Sequence, residues 1–171
     1  DLNVANPAVQ HEIMSIIEFW LAFGVDGFRV DAATHILDGK GVEGTRLRKP
    51  VSFLKQLRKT VTKKSDSTIM LAEADVVPEK LGTYFGKGDR LNMLFNFILD
   101  NYIFLALARE EAKPIADWLR KPLPPENCQW ANFLRNLDEL DLERLTAKER
   151  KEVFERFAPE DNMRIFNRGI R

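Results

Sequence analysis

Apolar positions along the chain switch between two periods, and the switching predicts an α/β order. After Asn6-Pro7, an N-cap followed by proline at the first helical position, Val9, Ile13, Ile16, Ile17, Trp20 and Leu21 recur at helical spacing as far as Gly24. VDGFRVDA (25–32) is a short β-branched and aromatic run that ends polar, and it predicts a strand. Residues 36–48 hold three glycines among charges and read as an irregular loop. Pro50 opens a helix through Phe53, Leu54, Leu57 and Val61, closed by Lys63-Lys64. TIMLAEAD (68–75) predicts a second strand running into acid, VVPEKLGTYFGKG (76–88) a helical turn or two closed by glycines, and LNMLFNF (91–97) a third strand.

Residues 101–121 read as helix interrupted at Pro114, 122–127 as a loop, and CQWANFLRNLDEL (128–140) as a fourth strand with its loop. Thr146 and Glu149 form a capping box at the head of a charged amphipathic helix over 145–157. Its polar side is expected to face solvent rather than a partner. Trp20, Phe28, Phe53, Phe95, Phe97 and Phe133 fall at core spacing, although aromatic rings also suit sugar stacking. Helices alternating with strands predict βαβ units around a parallel sheet. A closed eight-stranded barrel takes about 250 residues, so the four visible strands amount to roughly half of one.

Composition adds exclusions. The 171 residues suffice for one domain with a real core, and 26 basic residues balance 26 acidic ones. That balance argues against a nucleic-acid or anionic-membrane partner. No apolar run approaches a membrane span. Cys128 is the single cysteine, so no internal disulfide or cysteine metal site can form, which fits a reducing compartment. DLNVANPAVQ and NRGIR at the two ends read as interior sequence of something longer.

Three of the predicted strands end in acid: Asp31 in FRVDA, Glu73 in LAEAD and Asp138 in LRNLD. Strand C-termini form the active face of βα barrels. Carboxylates converging there suit glycoside chemistry, one attacking the anomeric carbon and another protonating the leaving oxygen. Arg29, at i−2 from Asp31, shares its strand face and would favour the ionised nucleophile. Acid after a strand also serves simply to cap the next helix; three in series, one with its arginine, shift the balance toward a site.

GFRVDAATH, LAEAD and FLRNLDEL resemble three conserved regions of the alpha-amylase superfamily of glycoside hydrolases and transglycosylases. DLNVANPAVQ, FWLAFGVDGFRVDA, the QWANFLRN–DEL frame and NRGIR are similar to its trehalose synthase (maltose α-D-glucosyltransferase) subgroup. The resemblance covers essentially the whole chain. It implies an α/β fold, a partial (β/α)8 TIM barrel of about strands four to seven with their helices. Residues 1–171 would form one partial catalytic domain lacking the N-terminal strands, the inserted subdomain and the last strand.

By position, the resemblance implies that Asp31 is the nucleophile, Glu73 the general acid/base and Asp138 the third carboxylate, which holds sugar hydroxyls. Arg29 would orient the nucleophile, and His35 and Asn136 would bind substrate. Two departures stand against this. Leu137 occupies the place of a histidine that hydrogen-bonds the sugar in relatives, which predicts weakened chemistry. The family's first conserved region has no counterpart.

The implied function is that of a retaining enzyme acting on α-linked glucosides such as maltose or trehalose. It would interconvert them by glucosyl transfer, with hydrolysis as a side reaction, in the cytoplasm. No metal or other cofactor is expected in this segment, and calcium is left open for the missing part of the parent enzyme. Unpaired barrel edges leave a homo-oligomer open. The competing function is a non-catalytic, amylase-like module for sugar binding or assembly.

Overall fold

A computed structural model describes residues 2–38, 49–63, 65–121, 124–135 and 140–171. These group into two compact units. The first comprises residues 1–74, 79–95 and 124–130, and the second 75–78, 96–123 and 131–171.

The first unit follows the predicted alternation. Helix α1 (Pro7–Phe23) starts where Asn6 accepts from Ala8 N and ends at Gly24, whose φ of 118° is open to glycine at little cost. Strand β1 (Gly27–Val30) follows, then helices α2 (Ala33–Asp38) and α3 (Pro50–Thr62) and strand β2 (Ile69–Ala72). Helix α4 (Pro78–Phe85) leads to β3 (Met93–Phe95). With β4 (Gln129–Ala131) these strands make one sheet in the order β1-β2-β3-β4. The β1/β2 and β2/β3 pairs are parallel, with Gly27 opposite Ile69 and Leu71 opposite Met93. Strands in sequence order with helical crossovers are the pattern of a βα-barrel arc. The core includes Leu54, Val61, Met70, Ala72, Leu91 and Leu94, all at most 1% exposed.

Gly27 fixes the spacing of the two strands that carry the candidate site. A Cβ there would lie 2.6 Å from the Ile69 carbonyl oxygen. Relief would have to come from the β1/β2 ladder itself. Gly27→Ala is therefore expected to lower stability by about 2 kcal/mol, read as a lower midpoint in urea with an unchanged slope.

The second unit is built on α5 (Phe97–Arg109), which meets α6 (Lys113–Leu119) and α7 (Ala147–Phe157). A small antiparallel sheet of β5 (Leu140–Asp141), β6 (Arg164–Ile165) and β7 (Gly169–Ile170), in the order β5-β7-β6, ties the C-terminal segment to it. Leu105, Leu140, Leu142, Leu145, Val153, Phe154, Ala158 and Ile170 form its core. The capping box at Thr146 and Glu149 is present, and the helix it starts buries only Val153 and Phe154.

Several expectations need correction. Helix α5 begins at Phe97 rather than 101, because the Asn96 side chain accepts from Leu99 N and caps it. The break between α5 and α6 comes at Glu110, in the left-handed region at φ 56°, while Pro114 sits in the first turn of α6, where proline is tolerated. The fourth strand stops at Ala131, short of FLRNLDEL. Residues 39–48, most of the expected loop, and the Leu137 position lie outside the described residues.

Phe53 and Phe97 are buried, and Phe28, Phe95 and Phe133 are half-buried. Trp20, expected in the core, is 44% exposed. Helix α1 carries more apolar positions than one stripe can bury. Met14, Ile17 and Leu21 turn inward, while Trp20 meets Phe19 and Phe23 edge-on at 5.3 and 5.8 Å on the outer side.

Candidate active site

The residue after β1 and the residue after β2 carry the first two candidate carboxylates. Parallel pairing of Val30 with Ala72 brings these strand ends level, and Glu73 N donates to Val30 O at 3.0 Å. Ala32 lies in the left-handed region at φ 43°, which is costly for a residue with a Cβ. This turn brings Ala33 N to the Glu73 carbonyl oxygen at 2.9 Å. The backbone on either side of Asp31 and at Glu73 is therefore tied together before any side chain is considered.

Arg29 then connects the two acids. Its Nη1 lies 2.7 Å from Asp31 Oδ1, and its Nη2 donates to Glu73 Oε2. A single guanidinium thus bridges the two carboxylates. The Asp31 side chain is 72% exposed and that of Glu73 24%. The first is open to an incoming ligand, and the second is sheltered by the sheet end.

Three of the six residues singled out from the sequence, Arg29, Asp31 and Glu73, thus converge. His35 lies in α2, in the turn that follows Asp31, with its backbone N donating to Ala32 O at 2.9 Å. Asn136 and Asp138 fall within 136–139, outside the described residues.

The sequence reading passed over a second group of acids, in the other unit. Asp75, Asp141 and Glu143 each present an oxygen within 4.8 Å of the others. Asp100, in the first turn of α5, is 1% exposed. Burial, then the charges of Asp141 and Asp75, push its carboxyl up to about 8. Asp75 is raised to about 6, chiefly by burial and against the pull of Arg144. One signal was legible: an aspartate inside the apolar run FILDNYIFLALA is a polar residue where a helix should be buried.

Among the described residues, no helix is long and apolar enough to cross a membrane. Residues 1–141 match the family described as alpha amylase, catalytic domain. The whole chain aligns with trehalose synthase of Thermus thermophilus at 42% identity, covering 18% of that protein. It also aligns over its full length with trehalose synthase/amylase of Mycolicibacterium smegmatis at 39% identity, covering 30% of it. The chain therefore spans less than a third of these relatives. Among solved structures, alpha-amylase from H. orenii superposes over 78% of this chain and 27% of its own, with a TM-score of 0.56 and 25% identity. That likeness identifies the four-strand parallel sheet as part of an amylase-type barrel.

Proposed function

Since this chain belongs to the alpha-amylase catalytic-domain family, we propose that it carries part of the catalytic machinery of a retaining α-glucoside enzyme of the trehalose synthase type. The observation that carries the reading is the Arg29 bridge between Asp31 and Glu73. Alignment of this whole chain with part of a trehalose synthase at 42% and of a trehalose synthase/amylase at 39% identity supports the subgroup.

The chemistry follows from the positions. Asp31 attacks the anomeric carbon of an α-glucoside as Glu73 gives its proton to the leaving oxygen, and a β-glucosyl ester forms on Asp31. Glu73, now a carboxylate, takes a proton from the acceptor. A sugar hydroxyl as acceptor gives transfer, hence isomerisation of maltose to trehalose, and water gives hydrolysis. Arg29 orients Asp31, Asp138 grips the sugar hydroxyls, and His35 and Asn136 contact the acceptor or donor sugar. The substrates are maltose- or trehalose-like glucosides, met in the cytoplasm. Leu137 offers no hydrogen bond to the sugar and so favours slow turnover, or the second reading, a sugar-binding module without catalysis.

The test is to incubate the native gene product that carries these 171 residues with maltose and with an aryl α-glucoside. Formation of trehalose from maltose, with a smaller yield of glucose, is the expected result. Maltose binding without product at high protein concentration would give the module reading the stronger claim. Absence of both would remove the glucoside function.

A further inference from the structure

Helices α5, α6 and α7 of the second unit frame a cavity of about 260 Å³. That is room for roughly nine waters at liquid density, or for one pyranose ring and not two. Its floor is aromatic. Trp118, 7% exposed, and the half-buried Tyr102 stand with ring centroids 6.4 Å apart and planes tilted by 38°. Leu105 extends the apolar side.

The rest of the lining is polar, and its side chains are held before any ligand arrives. Arg109 Nε and Nη2 donate to Glu152 Oε2 and Oε1 at 2.6 and 3.1 Å, which fixes the guanidinium plane. Glu149 Oε2 accepts from Thr146 N at 3.0 Å and from Thr146 Oγ1 at 2.7 Å. Asp117 pairs with Lys113 and, at 3.1 Å, with Arg120. Groups fixed in this way lose little freedom when they bind. Tyr102 differs, since its hydroxyl has no hydrogen-bond partner among the described residues. Burial, then the charges of Glu149 and Asp117, push its phenol above the usual range, so it stays a donor.

The mixture of charges selects the class of ligand. A cation would meet Arg109, Lys113 and Lys121, and an anion would meet Asp117 and Glu149. A neutral polyol meets neither conflict. Each of its hydroxyls can donate to a carboxylate and accept from a guanidinium or ammonium while the ion pairs stay intact. The C–H face of a pyranose suits the aromatic floor. We propose that this pocket is a second sugar site, which holds one neutral hexopyranose unit, glucose or the terminal glucosyl unit of maltose. Tyr102 and Trp118 lie beneath the ring, and Arg109, Asp117 and Glu149 bind its hydroxyls. The choice of glucose among hexoses rests on the glucoside reading; the pocket itself does not, since it uses none of Arg29, Asp31 and Glu73.

The test labels the native gene product that carries these residues with fluorotryptophan and follows it by fluorine NMR. The Trp118 resonance is the one that Trp118→Phe removes. It should shift saturably with glucose and with maltose, with Kd on the order of a few millimolar for a ring of about a dozen heavy atoms. Asp117→Asn should weaken both sugars at least about fivefold, and Tyr102→Phe about threefold. The Asp117 side chain is 46% exposed, so Asp117→Asn keeps the fold and marks the neighbouring Trp118 resonance should Trp118→Phe fail to fold. No shift of that resonance at about 50 mM of either sugar, well above the expected Kd, would overturn the proposal. So would a shift that Asp117→Asn and Tyr102→Phe leave unchanged, or a response to inorganic phosphate with none to sugar. Turnover does not enter this readout. A protein inactive on maltose whose Trp118 resonance still answers glucose would therefore count against the catalytic reading alone.

Discussion

Asp31→Asn in the native gene product is expected to lower kcat on maltose and on an aryl α-glucoside by at least about a thousandfold, while the protein folds as before. Asparagine keeps the shape of aspartate and keeps an oxygen to accept from Arg29, whose Nη1 lies 2.7 Å away in the native site. What it loses is the capacity to form the glucosyl ester. A thousandfold corresponds to about 4 kcal/mol of transition-state stabilisation, within what a covalent nucleophile contributes. The change should fall on kcat more than on KM, because a solvent-facing Asp31 adds little to ground-state binding. A second variant separates chemistry from packing. Asp31→Gly opens space in which added azide can attack the anomeric carbon from the same side as the lost carboxylate. The glucosyl azide formed should have the β configuration, inverted from the substrate. A tenfold or smaller loss in Asp31→Asn, or an α-configured azide, would remove Asp31 from the nucleophile's role.

What could be read in the sequence, and what could not, divides along physical lines. The alternation of 3.6- and 2-residue periods located α1, α3 and the parallel strands, since burial of one face is written directly into residue order. The acids of the site were legible because β1 and β2 run parallel and must end on the same side of the sheet, so residues just past each strand end meet without knowledge of any long-range contact. The start of α5 was missed because LNMLFNF is apolar in both periods, and the Asn96 cap that decides the matter is a single hydrogen bond. Glu110 was missed for a similar reason. The left-handed residue that ends α5 bears no glycine signal, and Pro114 a few residues later offered a more familiar breaker. Trp20 failed differently: periodicity gives the spacing of apolar residues but not how many faces a helix has covered. The Asp75, Asp141 and Glu143 group lay beyond any local pattern, because its members are up to 68 positions apart (Asp75 to Glu143) and meet through the fold alone.

Asp100 makes the second large prediction, and its sign is opposite to that of an ordinary salt-bridged aspartate. Burial, reinforced by Asp141 and Asp75, raises its folded pKa from 3.8 to about 8. Between those values the folded protein holds a proton that the unfolded chain has released, so stability falls as pH rises from about 4 to about 8 and then levels off. A rise of this size corresponds to roughly 6 kcal/mol if nothing relaxes, and water entry with local movement brings the figure to on the order of 3 kcal/mol. Asp100→Asn removes the titration while keeping a polar group of the same shape. At pH 8.5 the variant should therefore exceed the native chain by on the order of 3 kcal/mol, or roughly 6–12 °C in melting temperature for a chain of this size. At pH 4.5 the two should nearly coincide. Asp75, raised to about 6, adds a smaller slope of the same sign between about 4 and 6 in both proteins, so the difference between them isolates Asp100. Urea midpoints at several pH values read it directly. A variant no more stable than the native chain at pH 8.5 would mean that the Asp100 carboxylate finds compensation elsewhere in the folded state.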